Sequence, residues 1–132
     1  MTQYFPAIIT LLTLFLLLAT GVLVAIARGK FGIKAPATTG NDDFERVFRV
    51  QMNTQEAALI FLPALWLFSI YVNPLWAGIA GLVWLVGRVY YVMSYTRSAA
   101  ARGPGFIISV TAFAVLAVGA SIGIALKIIA GV

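Results

Sequence analysis

The chain has 132 residues, of which 62% are hydrophobic and only 10% are charged, and its mean hydropathy is +1.02. This composition excludes an ordinary water-soluble domain and indicates an integral membrane protein. Because the chain has no cysteine or histidine, we expect no metal, and any chemistry must use Arg, Tyr, Glu, Ser, Asn or a bound cofactor. The net charge of +5 is carried by residues that flank apolar spans, so we expect contact with membrane lipid and no nucleic acid.

The first apolar segment, Ile8–Ala27, is uncharged and long enough to span a bilayer. It lacks the basic leader of a signal peptide, so we expect it to be retained as a first helix over about residues 5–28. A stretch of turn-forming residues follows and forms the longest predicted loop. At its end, Asp42 or Asp43 is expected to cap the next helix.

The second segment begins with a polar run, Phe44–Glu56, that continues into an apolar run, and it predicts a helix over about residues 44–72. A cation, an amide and an anion stack on one face of this helix at i, i+4 and i+7: Arg49, Asn53 and Glu56. Glu56 lies roughly 24 Å from the far end of the helix, within a hydrocarbon layer of about 30 Å. A carboxylate at that depth usually marks a functional site.

The third predicted helix, over about residues 74–97, starts at Asn73-Pro74, where Asn can cap and Pro suits a first turn. Its second half carries a further polar stripe: Arg88, Tyr91 and Tyr95. The connection to the second helix is very short, so these two helices must be antiparallel neighbours.

The fourth predicted helix, over about residues 105–130, follows a basic loop that contains Arg102 and ends at Gly103-Pro104-Gly105. The fold class is therefore an all-α integral membrane bundle of four transmembrane helices in a single domain, residues 1–132. Basic residues concentrate in the first and third loops, so the positive-inside rule places both loops in the cytoplasm. Both polar stripes then open towards that side.

The polar stripes describe a pocket in which several arginines and one glutamate converge, because Arg28 and Arg102 lie at the same level as the stripes. Arginines bind carboxylates in bidentate fashion and a buried carboxylate suits an ammonium, so a small anionic ligand with an amino group fits. The alternative is a set of internal ion pairs, such as Glu56 with Arg88, that holds the bundle together. One glutamate cannot neutralise several arginines, and this excess favours a ligand.

Two motifs make the chain resemble the membrane-associated proteins in eicosanoid and glutathione metabolism, a family that includes microsomal glutathione transferases and leukotriene-C synthase. They are FERVFRVQMNTQE at 44–56 and RVYYVMSYTRSAAAR at 88–102, supported by ARGKF at 27–31. The resemblance covers nearly the whole chain. It implies a homotrimer of four-helix subunits that binds glutathione as co-substrate between neighbouring subunits, with a lipophilic small molecule arriving from the membrane.

The resemblance also implies roles for individual residues. The γ-glutamyl end of glutathione would be held by Arg49, Asn53 and Glu56, and its glycine carboxylate by Arg28 and Gln51. The pocket would be lined by Arg88, Tyr91 and Tyr95. Arg102 would be the catalytic residue that stabilises the thiolate, since a nearby cation lowers the pKa of a thiol.

Two departures from the family pattern bear on the reaction. Ala57 stands where leukotriene-forming relatives have tyrosine, and Phe106-Ile107 stands where prostaglandin-E-forming relatives have Arg-Ser. The expected activity is therefore a glutathione transferase or peroxidase acting on lipophilic electrophiles or lipid hydroperoxides, in a bacterial inner membrane or the endoplasmic reticulum. The alternatives are a non-catalytic scaffold of the same fold that binds lipid or a partner protein, a small exporter, and an inert bundle.

Overall fold

The computed structural model describes residues 1–132 and contains four long helices and no strands, with short 3₁₀ turns before the first helix (Thr2–Tyr4) and between the third and fourth (Ala99–Arg102). The helices are α1 (Phe5–Phe31), α2 (Asp42–Tyr71), α3 (Pro74–Arg97) and α4 (Gly103–Ala130). All four are long and apolar enough to cross a membrane. The predicted all-α bundle of four helices is thereby confirmed.

The helix ends follow local chemistry. The α1 helix continues to Phe31 and stops at Gly32, whose φ of 69° is the left-handed conformation that glycine adopts without strain. At the start of α2 the cap is Asn41, whose side chain accepts a hydrogen bond from the Phe44 N–H at 3.0 Å. The expectation that Asp42 or Asp43 would cap this helix is wrong, because both aspartates already lie in its first turn.

The short connection between α2 and α3 is closed by Asn73, whose side chain accepts hydrogen bonds from the Leu75 and Trp76 N–H groups at 2.9 and 3.2 Å. Pro74 occupies the first turn, where a missing N–H costs nothing. The predicted capping by Asn73 is confirmed. This connection keeps α2 and α3 side by side.

The bundle is organised around the α2–α3 pair, since α1 packs on one side of it and α4 on the other. At its centre the Phe61 and Trp84 rings are parallel with centroids 3.8 Å apart, and both residues are fully buried. Leu65 and Leu116 complete this apolar centre. Only 29 of 132 residues are buried, so most apolar side chains face outward, as expected for helices that contact lipid or other chains.

Glycines let α4 approach α3 and α2 closely. A Cβ on Gly105 would lie 2.6 Å from the Tyr91 backbone nitrogen, and one on Gly87 would lie 2.5 Å from the Ile108 side chain. Farther along, Gly119 and Gly123 contact side chains of α2. The α4 helix is therefore positioned by backbone approach, with its first turn directly against Tyr91.

Candidate functional site

A cavity of about 330 Å³ opens between α2, α3 and α4 at the level of the polar stripes. Its polar lining combines an amide, a carboxylate, a guanidinium and two hydroxyl groups: Asn53, Glu56, Arg88, Tyr91 and Ser109. The rest of the lining is apolar: Ala57, Ile60, Trp84, Phe106, Val110 and Phe113. The cavity therefore offers both polar groups that can anchor a ligand and an apolar surface on α2, α3 and α4.

Tyr91 and Asn53 join the two polar stripes directly. The Asn53 side-chain amide donates a hydrogen bond to the Tyr91 hydroxyl at 2.8 Å, linking α2 to α3. Tyr91 is almost fully buried while Asn53 is half-buried. The Asn53 side-chain carbonyl oxygen takes no part in this bond and accepts no other within the chain, so it is available to accept from a ligand.

Arg88 is only 2% exposed and lies at membrane depth without a carboxylate partner. Its Nε donates to the Thr54 hydroxyl at 3.3 Å, and its guanidinium carbon lies 3.9 Å from the Tyr91 ring centroid. The postulated ion pair between Glu56 and Arg88 is absent, since the one salt bridge in the chain joins Arg46 and Asp43. The cation is held by a hydroxyl and an aromatic face.

Arg102 ends the 3₁₀ turn Ala99–Arg102 and immediately precedes α4. It lines a second cavity of about 370 Å³ together with Gly103 and three residues of the first cavity: Asn53, Tyr91 and Phe106. The two cavities therefore adjoin. Arg102 is exposed at this outer part, with its guanidinium carbon 5.7 Å from the Tyr95 ring centroid. Tyr95 in turn lies against Tyr91, at 5.5 Å between ring centroids.

Four of the candidate residues line neither cavity within one chain: Tyr95, which packs behind Tyr91, and Arg28, Gln51 and Arg49. Arg28 donates hydrogen bonds to the carbonyl oxygens of Ala37 and Ile33, at 2.7 and 3.4 Å, and so fastens the first loop to α1. Gln51 faces α1, where its amide nitrogen approaches Gly21. Arg49 is exposed and lines neither cavity.

Sequence reasoning missed the side chains that shape the cavity without carrying charge. Thr54 is fully buried and accepts from Arg88, and Ser109 lies on α4. The α4 wall was recoverable from spacing, because Phe106, Ser109 and Phe113 recur at helical intervals on one face. Thr54 carried no such signal, since a hydroxyl inside an apolar helix usually bonds its own backbone.

Comparison with known proteins matches residues 6–122 to the MAPEG family. An uncharacterized protein of Synechocystis sp. is 49% identical over 119 residues, covering 90% of this chain and 87% of that protein. Human microsomal glutathione S-transferase 2 is 40% identical over 102 residues, covering 77% of this chain and 69% of the relative. Bovine leukotriene C4 synthase is 38% identical over 96 residues, covering 73% of this chain and 64% of that protein. The chain is a member of the MAPEG family, whose model it matches over nearly its whole length.

Proposed function

We propose that this protein is a membrane-bound glutathione transferase, with peroxidase activity at the same site. The observation that carries the proposal is the pair of adjoining cavities in which Arg88 and Arg102 have no carboxylate partner. An anionic ligand would supply the missing counter-charge. The names of the relatives, which include a glutathione S-transferase, support glutathione as that ligand.

Glutathione has two carboxylates, one ammonium and a thiol, and the candidate residues offer a partner for each. Glu56 suits the ammonium, while the Asn53 carbonyl oxygen suits one of its N–H groups. Arg49 would contribute to the same γ-glutamyl end. Arg88, Tyr91 and Tyr95 would line the pocket, and Arg102 at the outer cavity would stabilise the thiolate.

In the transferase reaction, the glutathione thiol loses its proton to solvent and the thiolate sulfur attacks an electrophilic carbon. A carbon–sulfur bond forms as the bond to the leaving group, or one bond of an epoxide, breaks with its electron pair. In the peroxidase reaction, the thiolate attacks a hydroperoxide oxygen and releases the alcohol, and a second glutathione then yields the disulfide and water. Two thiols are thus oxidised for each hydroperoxide reduced.

The apolar wall supports lipophilic substrates for both reactions. Ile60, Phe106 and Phe113 line the same cavity as the polar anchors, so an apolar molecule there would lie beside the thiol. Ala57 also lines this cavity, and its small side chain leaves room where a tyrosine would fill space. The leukotriene and prostaglandin reactions remain disfavoured by the residues at positions 57, 106 and 107.

A homotrimer would complete the site. Arg49 and Glu56 are exposed at or near membrane depth, which is costly against lipid, so another chain must cover them. Arg28 and Gln51, which lie away from the cavities of their own chain, could reach the glycine carboxylate of glutathione bound to a neighbour. The C3 arrangement itself rests on the family resemblance.

The test is glutathione binding by the purified full chain in detergent, together with the ultraviolet absorbance of the bound thiolate. We expect Arg102→Ala to lose the thiolate signal while still binding glutathione, and Glu56→Ala to bind it more weakly. An absence of binding to the natural chain at millimolar glutathione would refute the proposal. The non-catalytic lipid-binding scaffold of the same fold would then account better for the arginines.

We further propose that the first and third loops face the cytoplasm, of a bacterial inner membrane or the endoplasmic reticulum. The chain has no cysteine, so single cysteines can be introduced without background. Thr38→Cys in the first loop and Leu75→Cys beside the second should label from opposite sides of sealed vesicles, and Leu75 leaves the Asn73 cap intact. Labelling of both from one side would contradict this orientation.

A further inference from the structure

A third cleft, of about 310 Å³, lies between the end of α1, the start of α2 and the end of α3. It shares no lining residue with the two cavities of the candidate site. Its lining has two cations, one carboxylate and one hydroxyl above an apolar base: Lys30, Arg46, Asp43 and Thr96, then Leu23, Ile26, Ala27, Phe31 and Val47. We propose that this cleft binds one anionic phospholipid, with the phosphate at the two cations and an acyl chain along the apolar residues.

The charges of the cleft favour an anion. Asp43 forms a salt bridge with the terminal nitrogen of Arg46, but Lys30 has no carboxylate partner, so the cleft keeps a net positive charge. The Arg46 Nε is buried and has no hydrogen-bond partner. A guanidinium has five N–H donors, and a phosphate accepts several of them at once. Arg46 bonds Asp43 through one terminal nitrogen only, and its side chain is part-exposed, so N–H donors of the guanidinium remain for an anion.

The apolar residues make a lipid a better occupant than a free phosphate. Leu23 and Ile26 are 39% and 60% exposed on the outer surface of α1, and they continue the cleft from the charged end into the membrane-spanning segment. An inorganic anion would leave this surface uncovered. A phospholipid fits both the charged end and the apolar surface of the cleft, because its headgroup phosphate lies at the membrane interface and its acyl chain enters the hydrocarbon layer.

The cleft lies on a different side of α1 from Arg28, the residue that is proposed above to reach glutathione bound to a neighbouring chain. At 3.6 residues per turn, Leu23 and Lys30 lie roughly opposite Gly21 and Arg28 on the helix. A neighbour that contacts the Gly21 and Arg28 face would leave the cleft open to lipid. The proposal does not depend on glutathione binding.

The test is native mass spectrometry of the full chain in detergent, titrated with phosphatidylglycerol or with phosphatidylcholine of the same acyl chains. We expect saturable binding of one phosphatidylglycerol per chain and weaker binding of phosphatidylcholine. Lys30→Gln and Arg46→Gln should each lower the affinity for phosphatidylglycerol about fivefold, as one basic residue near an anionic lipid surface contributes. The matched control is Lys34→Gln, an exposed loop cation outside the cleft, which should bind as the natural chain does.

A gain of binding separates the proposal from a folding defect. Asp43→Asn removes the carboxylate that competes for Arg46, so phosphatidylglycerol affinity should rise, which a misfolded variant would not show. The proposal is overturned if Lys34→Gln weakens binding as much as the cleft variants, which would indicate diffuse attraction. Equal affinity for phosphatidylcholine, or complete displacement by inorganic phosphate, would overturn it as well.

Discussion

Arg88 and Arg102 contribute the same charge to one region but differ in how they are held. Arg88 is buried and fixed by the Thr54 hydroxyl and the face of Tyr91. Arg102 is exposed, and its guanidinium carbon lies over the Tyr95 ring at 5.7 Å from the centroid, without a hydrogen bond to fix it. A fixed cation suits the recognition of a ligand carboxylate, and a cation at the outer cavity suits charge that develops on a thiol. Their substitutions should therefore affect different kinetic parameters.

Kinetics with glutathione and a lipophilic electrophile should separate Arg102 from Glu56. Arg102→Ala should lower kcat about 10²–10³-fold, the usual effect of removing one electrostatic stabiliser, with little change in the KM for glutathione. Glu56→Gln should instead raise that KM roughly tenfold or more, since a hydrogen bond between charged groups is lost. Arg102→Lys is the control that keeps the charge and should retain part of kcat. Equal effects on both parameters in both variants would contradict the assigned roles.

Arg88→Met should weaken glutathione binding without lowering thermal stability. Burying a cation without a carboxylate partner costs desolvation free energy. Burying an apolar side chain of similar length carries no such cost. Melting of the detergent-solubilised protein and glutathione titration measure the two effects. Arg97→Met, at an exposed position outside the cavities, is the matched control. A large drop in melting temperature for Arg88→Met alone would assign Arg88 a structural role.

At the scale of the helices, the site depends on how closely α4 approaches α3. Gly105 lies against the backbone of Tyr91, and Arg102 lies three residues before it, so the approach fixes where the guanidinium enters the outer cavity. Gly105 has no side chain and therefore contributes no functional group to the site. Its absent side chain nevertheless determines the distance between Arg102 and the polar stripes.

Gly105→Ala should therefore impair both stability and activity. The added Cβ would meet the Tyr91 nitrogen at 2.6 Å and the Gly87 carbonyl oxygen at 2.8 Å, so α4 must shift, at a cost of about 1–3 kcal/mol. Gly29→Ala is the matched control, because a Cβ there meets nothing within 4 Å, and Gly29 lies within α1 and lines neither cavity. Thermal melting and kcat measure the effect. Equal behaviour of the two variants would argue against the close approach of α3 and α4.

Much of this arrangement could be predicted from the sequence, because apolar length and polar spacing are local signals. The polar stripes predicted that Asn53 and Tyr91 would lie near one membrane face, and they form a hydrogen bond. The sequence could not predict that Arg28 and Gln51 lie apart from them, since which side of α1 meets α2 is decided by packing. The role of Gly105 could not be predicted either, because a close contact between two helix backbones produces no periodic pattern in the sequence.

At the scale of the whole molecule, a single chain leaves its polar groups incompletely covered. Arg49, Glu56 and Arg102 are exposed, although the first two belong to a helix long enough to span the bilayer. Arg28 and Gln51 lie on another side of the bundle. A site shared between chains would account for both observations, since each chain would contribute one set of residues to the site of one neighbour and complete its own with residues of the other.

Co-expression of two inactive variants should test the shared site. Arg28→Ala and Arg102→Ala chains should each be impaired alone, but a mixed assembly can place an intact Arg102 beside an intact Arg28. Random assortment in equal amounts would restore about a quarter of the sites. Separately purified variants, mixed without exchange of subunits, are the control. Activity no higher than the average of the two parents would show that each chain carries a complete site.

The asymmetry of the connections has a consequence for access to the cavity. The α2–α3 pair is held together by the Asn73 cap, which accepts two hydrogen bonds, and by the stacked Phe61 and Trp84 rings. We therefore expect these two helices to keep their relative position. The α3–α4 connection is the short turn that carries Arg102. Any widening of the cavity between α3 and α4 must therefore displace Arg102 as well. In the proposed transferase, a bulky substrate that entered between α3 and α4 would therefore also move the Arg102 guanidinium away from the position in which it would stabilise the thiolate.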